Sequence, residues 1–334
     1  MAGTGPVRYF DSGESAVLRA PRALVAFGGW VDAGSGGTGA VRYLVDSLGA
    51  RRLADLDPED FYSFTDTRPL TSVVGPGQRA MHWPRGEFFA ATSPGESAHD
   101  LLLFVAPEPN MRWRTYCSVV MDVLEKYGVT QIINLGAIFG AVHHRGETPL
   151  MGWATDAALR EALTRRQITF SNYEGPTGIV TALLAEAQAR GVPSAAIIGF
   201  TPNYVQGVAN PRTSHALLKA ACEIAEVDVP LADLERAGRA LVRQVDKLLA
   251  DQPELRERVE RMLAMLQGSE EPPSSGAPEP APGFDMGPST AEPSGELPSP
   301  QAVVQELEQF LRQLRGTSES QPPPEGDPKP DGGQ

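Results

Sequence analysis

The segment Asn172-Tyr173-Glu174-Gly175-Pro176-Thr177-Gly178 sets a lone carboxylate, Glu174, among two glycines and a proline. An apolar run, Ile168-Thr169-Phe170, precedes it, and an apolar helical pattern from Ile179 to Gly191 follows. This order predicts a turn from a strand into a helix. In a parallel sheet such turns face the edge where ligands and partners bind. The first N–H groups of the helix are unpaired there and take either an anion or a capping side chain. Glu174, Gly175, Thr177 and Gly178 are therefore candidate ligand contacts, with capping as the simplest role for the same residues.

A second glycine-rich segment, Gly28-Gly29-Trp30-Val31-Asp32-Ala33-Gly34-Ser35-Gly36-Gly37-Thr38-Gly39, follows the apolar run 23–27 and opens a helical pattern. Backbone N–H groups in such a loop can wrap a phosphate. It is not a P-loop, because no Gly-Lys-Ser/Thr follows. Residues 34–39 fit G-x-G-x-x-G by rule, yet they lie well past the strand and no acidic residue closes a second strand at the expected distance. Gly28, Gly29, Asp32 and Gly34 join the candidate ligand set. So do Glu108 and Arg112, which follow the apolar run 101–105, although a structural salt bridge is the simpler use of those charges.

For acid–base chemistry the candidates are Glu174, Asp32 and His143. His143, His144 and Glu147 sit close together in sequence, but adjacent histidines diverge and no third ligand is evident, so no metal is expected. No serine stands in a G-x-S-x-G elbow and neither cysteine has a nucleophile motif. These loops do not spell a reaction, and no cofactor is expected.

The elements that must carry these loops are legible as alternation. Strand patterns at 23–27, 51–56, 101–105, 131–135, 168–170 and 195–200, most of them apolar runs, alternate with helical patterns at 39–48, 111–127, 156–166, 179–191 and 213–225. Such spacing specifies parallel βαβ units, and near-continuous apolar strands imply a sheet covered on both faces. Residues 79–83 and 87–92 read as a hairpin around Pro84-Arg85-Gly86, and Thr155 as the cap of the helix at 156–166. The reading is a three-layer α/β/α sandwich with a mostly parallel sheet over residues 1–230. A helical arm follows at 231–267, broken at Asp251-Gln252-Pro253.

From Gly268 the composition changes. Residues 268–334 hold 14 of the chain's 30 prolines, with 12 acidic and 3 basic residues, and so contribute −9 of the net −13. Too little apolar surface remains to offset ordering entropy, which predicts a disordered linker at 268–299 and a disordered tail at 316–334. Between them, residues 300–315 place Val303, Leu307, Phe310, Leu311 and Leu314 on one helical face, a candidate for docking on a partner. The remaining −4 is mildly acidic, which argues against a nucleic-acid partner, since such a partner normally demands a basic face, and none is expected. No apolar stretch of about 18 residues and no leader pattern occurs. Two isolated cysteines make no disulfide framework. The expectation is a cytoplasmic protein with no membrane partner.

Several motifs occur together in order: Phe27-Gly28-Gly29-Trp30-Val31-Asp32-Ala33-Gly34, Asp57-Pro58-Glu59-Asp60-Phe61-Tyr62, Thr67-Arg68-Pro69, His82-Trp83-Pro84, Glu108-Pro109-Asn110-Met111-Arg112-Trp113, Leu135-Gly136-Ala137 and Tyr173 to Gly178. In this the chain resembles the bacterial branch of the proteasome assembly chaperone 2 family over roughly residues 20–265. The resemblance implies a phosphorylase-like α/β fold, a homo-oligomer, proteasome subunits as partners and a non-catalytic assembly role. The end of the chain departs from the hydrophobic-Tyr-X tail with which assembly chaperones and activators often dock. Its Gly332-Gly333-Gln334 is similar to the terminus of the prokaryotic ubiquitin-like protein. The alternative is an enzyme on the same fold that binds a nucleoside-like or anionic small molecule at loops 28–39, 140–149 and 172–178.

Overall fold

The structure, a computed structural model, describes residues 5–10, 18–95 and 97–267. The predicted linker, amphipathic helix and tail, with Val303, Leu307, Phe310, Leu311 and Leu314, lie outside the described residues. The chain runs β1 (Val7–Tyr9), β2 (Arg22–Gly28), α1 (Gly36–Ser47), β3 (Arg51–Leu56), β4 (Leu70–Gly75), β5 (Gln78–His82), β6 (Glu87–Ala91), β7 (Leu101–Pro107) and α2 (Trp113–Lys126). It continues with β8 (Gln131–Gly140), β9 (Leu150–Ala154), α3 (Ala157–Arg165), β10 (Thr169–Phe170), α4 (Ile179–Ala189), β11 (Ser194–Pro202), α5 (Pro211–Ala225), α6 (Ala232–Asp251) and α7 (Pro253–Gln267).

The apolar runs are continuous because their residues feed two cores in alternation. Along β2, Ala23, Val25 and Phe27 point into one core, and Leu24 and Ala26 into the other. On β7, Leu102, Phe104 and Ala106 face the first core, while Leu101, Leu103 and Val105 face the second. Helices α2 and α4 cover the first face. Helices α1, α3 and α5 cover the second. This is the three-layer α/β/α arrangement that strands buried on both faces require.

The main sheet has nine strands in the order β1-β3-β6-β7-β2-β8-β11-β9-β10. Its centre, β7-β2-β8-β11, is wholly parallel. Antiparallel pairs extend it, through β6, β3 and β1 on one side and β9 on the other. Edge strand β10 is two residues long and pairs parallel to β9.

Two local expectations are corrected. Residues 79–83 do not form a hairpin with 87–92. β5 turns back onto β4, while β6 enters the main sheet between β3 and β7. The real turn is Pro76-Gly77, where Gly77 has a φ of +72° that suits glycine. At Gly86 the chain dives against the core. A Cβ there would meet the Phe104 ring at 2.9 Å, and Phe88 then packs tilted against that ring with centroids 4.3 Å apart. The cap of α3 is Asp156, whose carboxylate accepts from the N–H groups of Ala158 and Leu159; the Thr155 hydroxyl instead donates to the Ser194 carbonyl. Asp accepts from N2 and N3 as readily as Thr does, so the two were indistinguishable by residue type.

The arm packs on its own chain. Leu234 of α6 joins the core under α5, and Gly238 lets α6 approach the start of α5, where a Cβ would stand 3.3 Å from the Arg212 Cα. Leu241, Val245 and Leu249 of α6 close a third cluster with Val259 and Leu263 of α7 and with Val205 and Val208. Pro253 supplies the restart of α7, where a missing N–H costs nothing.

Candidate functional site

Strands β2 and β7 are neighbours, yet β2 leads to α1 on one face and β7 to α2 on the other. Between strands whose connections diverge, an open α/β sheet leaves a crevice at its carboxyl ends, the usual ligand position. Gly28, Gly29, Asp32 and Glu108 stand at that crevice. The Glu108 N–H donates to the Gly28 carbonyl at 2.7 Å, and a Cβ on Gly29 would come 3.2 Å from the Glu108 Cβ. Gly29 has φ +123°. The crevice thus needs glycine at this position for both reach and conformation.

The glycine loop is shaped by packing. A Cβ on Gly37 would stand 2.3 Å from the Leu135 carbonyl oxygen, and one on Gly36 would stand 2.7 Å from the Ala137 Cβ. These glycines let α1 start directly on top of β8. Gly34 does not face the crevice; it lies against Asn210, whose N–H donates to the Gly34 carbonyl at 2.7 Å. The anion position of α1 is filled from within the chain. Asp32 Oδ1 accepts from the N–H groups of Gly37 and Thr38 at 2.9 and 3.1 Å, and Oδ2 accepts from the Thr38 hydroxyl at 2.5 Å. Burial raises the Asp32 carboxyl to about 7, although the Thr38 and Gly37 hydrogen bonds favour its ionised form.

Helix α4 is capped in the same manner from further away. Its own cap residue, Gly178, has no side chain, and Glu108 Oε1 accepts from the Ile179 N–H at 2.8 Å. A Cβ on Gly178 would sit 3.0 Å from that oxygen. Both helix starts that face the crevice therefore hold a carboxylate of this chain. A phosphate or carboxylate ligand would have to displace it. Glu108→Ala should cost about 1 kcal/mol, the worth of a cap, and lower the melting temperature by a few degrees. A melting temperature unchanged or raised in a denaturation scan would show that Glu108 is not a cap.

The remaining candidates are not assembled there. Glu174, Gly175 and Thr177 are exposed on the turn, while the Tyr173 hydroxyl donates across it to the Pro176 carbonyl at 2.9 Å. The expected strand-to-helix turn is instead an eight-residue crossing, 171–178, from edge strand β10 back to the crevice. A two-residue edge strand and a core strand look alike in so short an apolar run. Arg112 is exposed and pairs with Asp60 at 2.8 Å, the structural salt bridge.

His143 is exposed, whereas its neighbour His144 is buried and organises the loop. The Tyr204 oxygen accepts the His144 backbone N–H at 2.8 Å, so its own proton is directed to Nδ1, also at 2.8 Å. Nε2 then carries the ring proton and donates to Asp246 Oδ1 at 2.8 Å. Arg145 donates to the same oxygen at 2.7 Å. Burial pushes the His144 pKa down, with Asp246 opposing. Burial would raise the Asp246 carboxyl, but hydrogen bonds from Arg145 and His144 hold it below the usual range. This cluster pins α6 to the loop after β8, next to a small cleft lined by Val142, Phe200, Arg212 and Leu241 among others. Tyr204 and Asp246 carried no sequence signal, since their partners lie 60 and 102 residues away. Asn210-Pro211 did carry one, a cap followed by proline at the first helical turn, and Asn210 accepts from the Arg212 and Thr213 N–H groups.

Cys117 and Cys222 are buried, and burial pushes both thiols up to about 12. Thiols at that value are not nucleophiles. Among the described residues no group of three or more His, Cys, Asp or Glu could hold a metal ion. No described helix is long and apolar enough to cross a membrane.

The sequence profile of the PAC2 family matches residues 26–249. A PAC2 family protein from Streptomyces avermitilis is 34% identical, with a TM-score of 0.64 over 68% of this chain and 95% of that one. A proteasome-assembly chaperone homologue from Mycobacterium tuberculosis is 33% identical, with a TM-score of 0.65 over 71% of this chain and 99% of that one. An archaeal proteasome activator from Pyrococcus furiosus shares the fold at 16% identity, with a TM-score of 0.56 over 72% of this chain and 97% of that one. No curated protein matches the chain. Matched through both the crevice loops and the parallel core that carries them, this chain belongs to the PAC2 family.

Proposed function

We propose that this chain is a non-catalytic, self-associating interaction protein that acts on proteasome assembly in the cytoplasm, with proteasome subunits as partners. The observation that carries the reading is a crevice whose two helix starts are occupied by Asp32 and Glu108 of the chain itself. With these donors taken from within the chain, neither helix start is open to an anionic substrate, which supports an interaction role. The Mycobacterium tuberculosis relative, at 33% identity, is described as a proteasome-assembly chaperone homologue, which supports the partner class.

The test is assembly itself. Purified proteasome α and β subunits are mixed with and without the full chain, and particle formation is followed by native electrophoresis. The expected result is a severalfold change in the rate or yield of particles. An unchanged time course at stoichiometric chain would overturn the assembly role.

A further inference from the structure

Strands β4 and β5 pair only with each other, so both outer edges of this hairpin lack a strand partner. A two-stranded hairpin is marginal in water. This one exposes Val73 at 70%, Val74 at 62% and Met81 at 53%. Thr71 opposes Met81 and Val73 opposes Arg79, so Val73 and Met81 share one face with Thr71 and a cationic Arg79. β4 reads Leu-Thr-Ser-Val-Val-Gly, with no charge and no proline. Natural edges are usually guarded by charges, proline or bulges. Here the bulge falls at the very end, between Val73 and Gly75, and leaves the rest of the strand open.

The charge around it is also unusual for this molecule. From Arg68 to Arg85 there are three arginines and no aspartate or glutamate, whereas the rest of residues 1–267 holds 30 acidic and 23 basic residues, a net of −7. Arg85 is paired with Asp55, but no ion pair is formed by Arg68 or Arg79 among the described residues. A basic, open-edged hairpin with exposed Val73, Val74 and Met81 is complementary in charge to the net acidic remainder of residues 1–267.

We propose that the outer edge of β4 is the contact by which a second copy of this chain joins the first, a strand of the copy adding to β4 while acidic groups of the copy face Arg68 and Arg79. This rests on the self-association proposed above and names its surface. Backbone pairing would provide the affinity and the side chains of Thr71 and Val73 the register.

The test uses the full chain. Its mass in solution is measured by light scattering beside that of Val73→Lys, an exposed substitution that leaves the core intact, and far-UV circular dichroism checks the fold of both. The expected result is a multiple of 35.7 kDa for the parent and 35.7 kDa for the variant, with the same melting of secondary structure in the dilute limit. An assembled parent and an equally assembled Val73→Lys would overturn the β4 contact while leaving self-association standing. A monomeric parent would overturn both. A second variant, Val73→Cys, reports the surface directly, because both native thiols are buried. Its thiol should be protected from a maleimide in the assembled protein and react on dilution to monomer. Protection that persists in the monomer and vanishes when residues 268–334 are removed would give the strand to the chain's own tail and overturn the proposal.

Discussion

Gly37→Ala should destabilise the protein by about 3–5 kcal/mol, whereas Gly39→Ala, two residues on in the same glycine run, should change stability by less than about 1 kcal/mol. The contrast follows from what each methyl would meet. At Gly37 the nearest atoms are the Leu135 carbonyl oxygen at 2.3 Å, the Leu135 carbonyl carbon at 2.9 Å and the Gly136 Cα at 3.2 Å, all backbone of a central strand. Backbone in a paired parallel sheet has nowhere to move, so α1 must lift off β8. At Gly39 the nearest atom is the Ser214 hydroxyl oxygen at 3.3 Å, at the end of a side chain. Helix propensity there favours alanine over glycine. If the glycines served a bound phosphate, the two variants would instead fold alike and differ only in ligand affinity. Urea denaturation of both variants beside the parent decides between these outcomes.

Asp32→Asn should flatten the dependence of stability on pH. The Asp32 carboxyl sits at about 7 in the folded protein against 3.8 when free. A folded value above the unfolded one means that the native state binds the extra proton. The stability linked to that proton is fully present below 3.8 and is lost as pH rises through about 7. The difference corresponds to at most roughly 4 kcal/mol, and less where water reaches a partly buried group. The asparagine variant keeps an oxygen for the Gly37 and Thr38 N–H groups but has no proton to lose. Unfolding free energies at pH 5 and pH 8 should therefore show the variant gaining on the parent at the higher pH. Parallel profiles, or a parent that gains as the carboxylate ionises, would mean that the helix start outweighs burial at this site.

The fold was legible where one strand met two cores. Residues 23–27 and 101–105 are apolar at every position, and that pattern admits a strand covered on both faces. It was illegible where partners are distant. Nothing local in Leu70–Gly75 announces a strand that pairs with Gln78–His82 rather than leaving 79–83 to face 87–92. Phe88 is claimed by Phe104, and that contact decides the path of the chain only in three dimensions.

For the candidate site, residue type named Gly28, Gly29, Asp32 and Glu108, which the structure gathers at one crevice, but did not single out the carboxylate that caps α4. Glu174 sits beside the helix start in sequence, but Glu108, 71 residues away, makes the bond to Ile179. Asp32, read as a ligand contact, caps α1 by reaching five and six residues ahead. A carboxylate five residues before a helical N–H cannot be told from a substrate ligand without knowing how the intervening loop folds. His143 and His144 are equivalent in sequence, and only the burial of His144 against Tyr204 and Asp246 separates them.

The most direct measurement is recovery of proteasome subunits on the tagged full chain from native lysate of its own source, quantified by mass spectrometry against an unrelated tagged protein. The account predicts α or β subunits enriched at least severalfold, together with untagged copies of the chain. Absence of both, with a melting-temperature rise matching the roughly 2.7 kcal/mol that a ligand at a hundred times its Kd adds, for phosphate or a nucleoside, would contradict it and return the crevice to small-molecule chemistry.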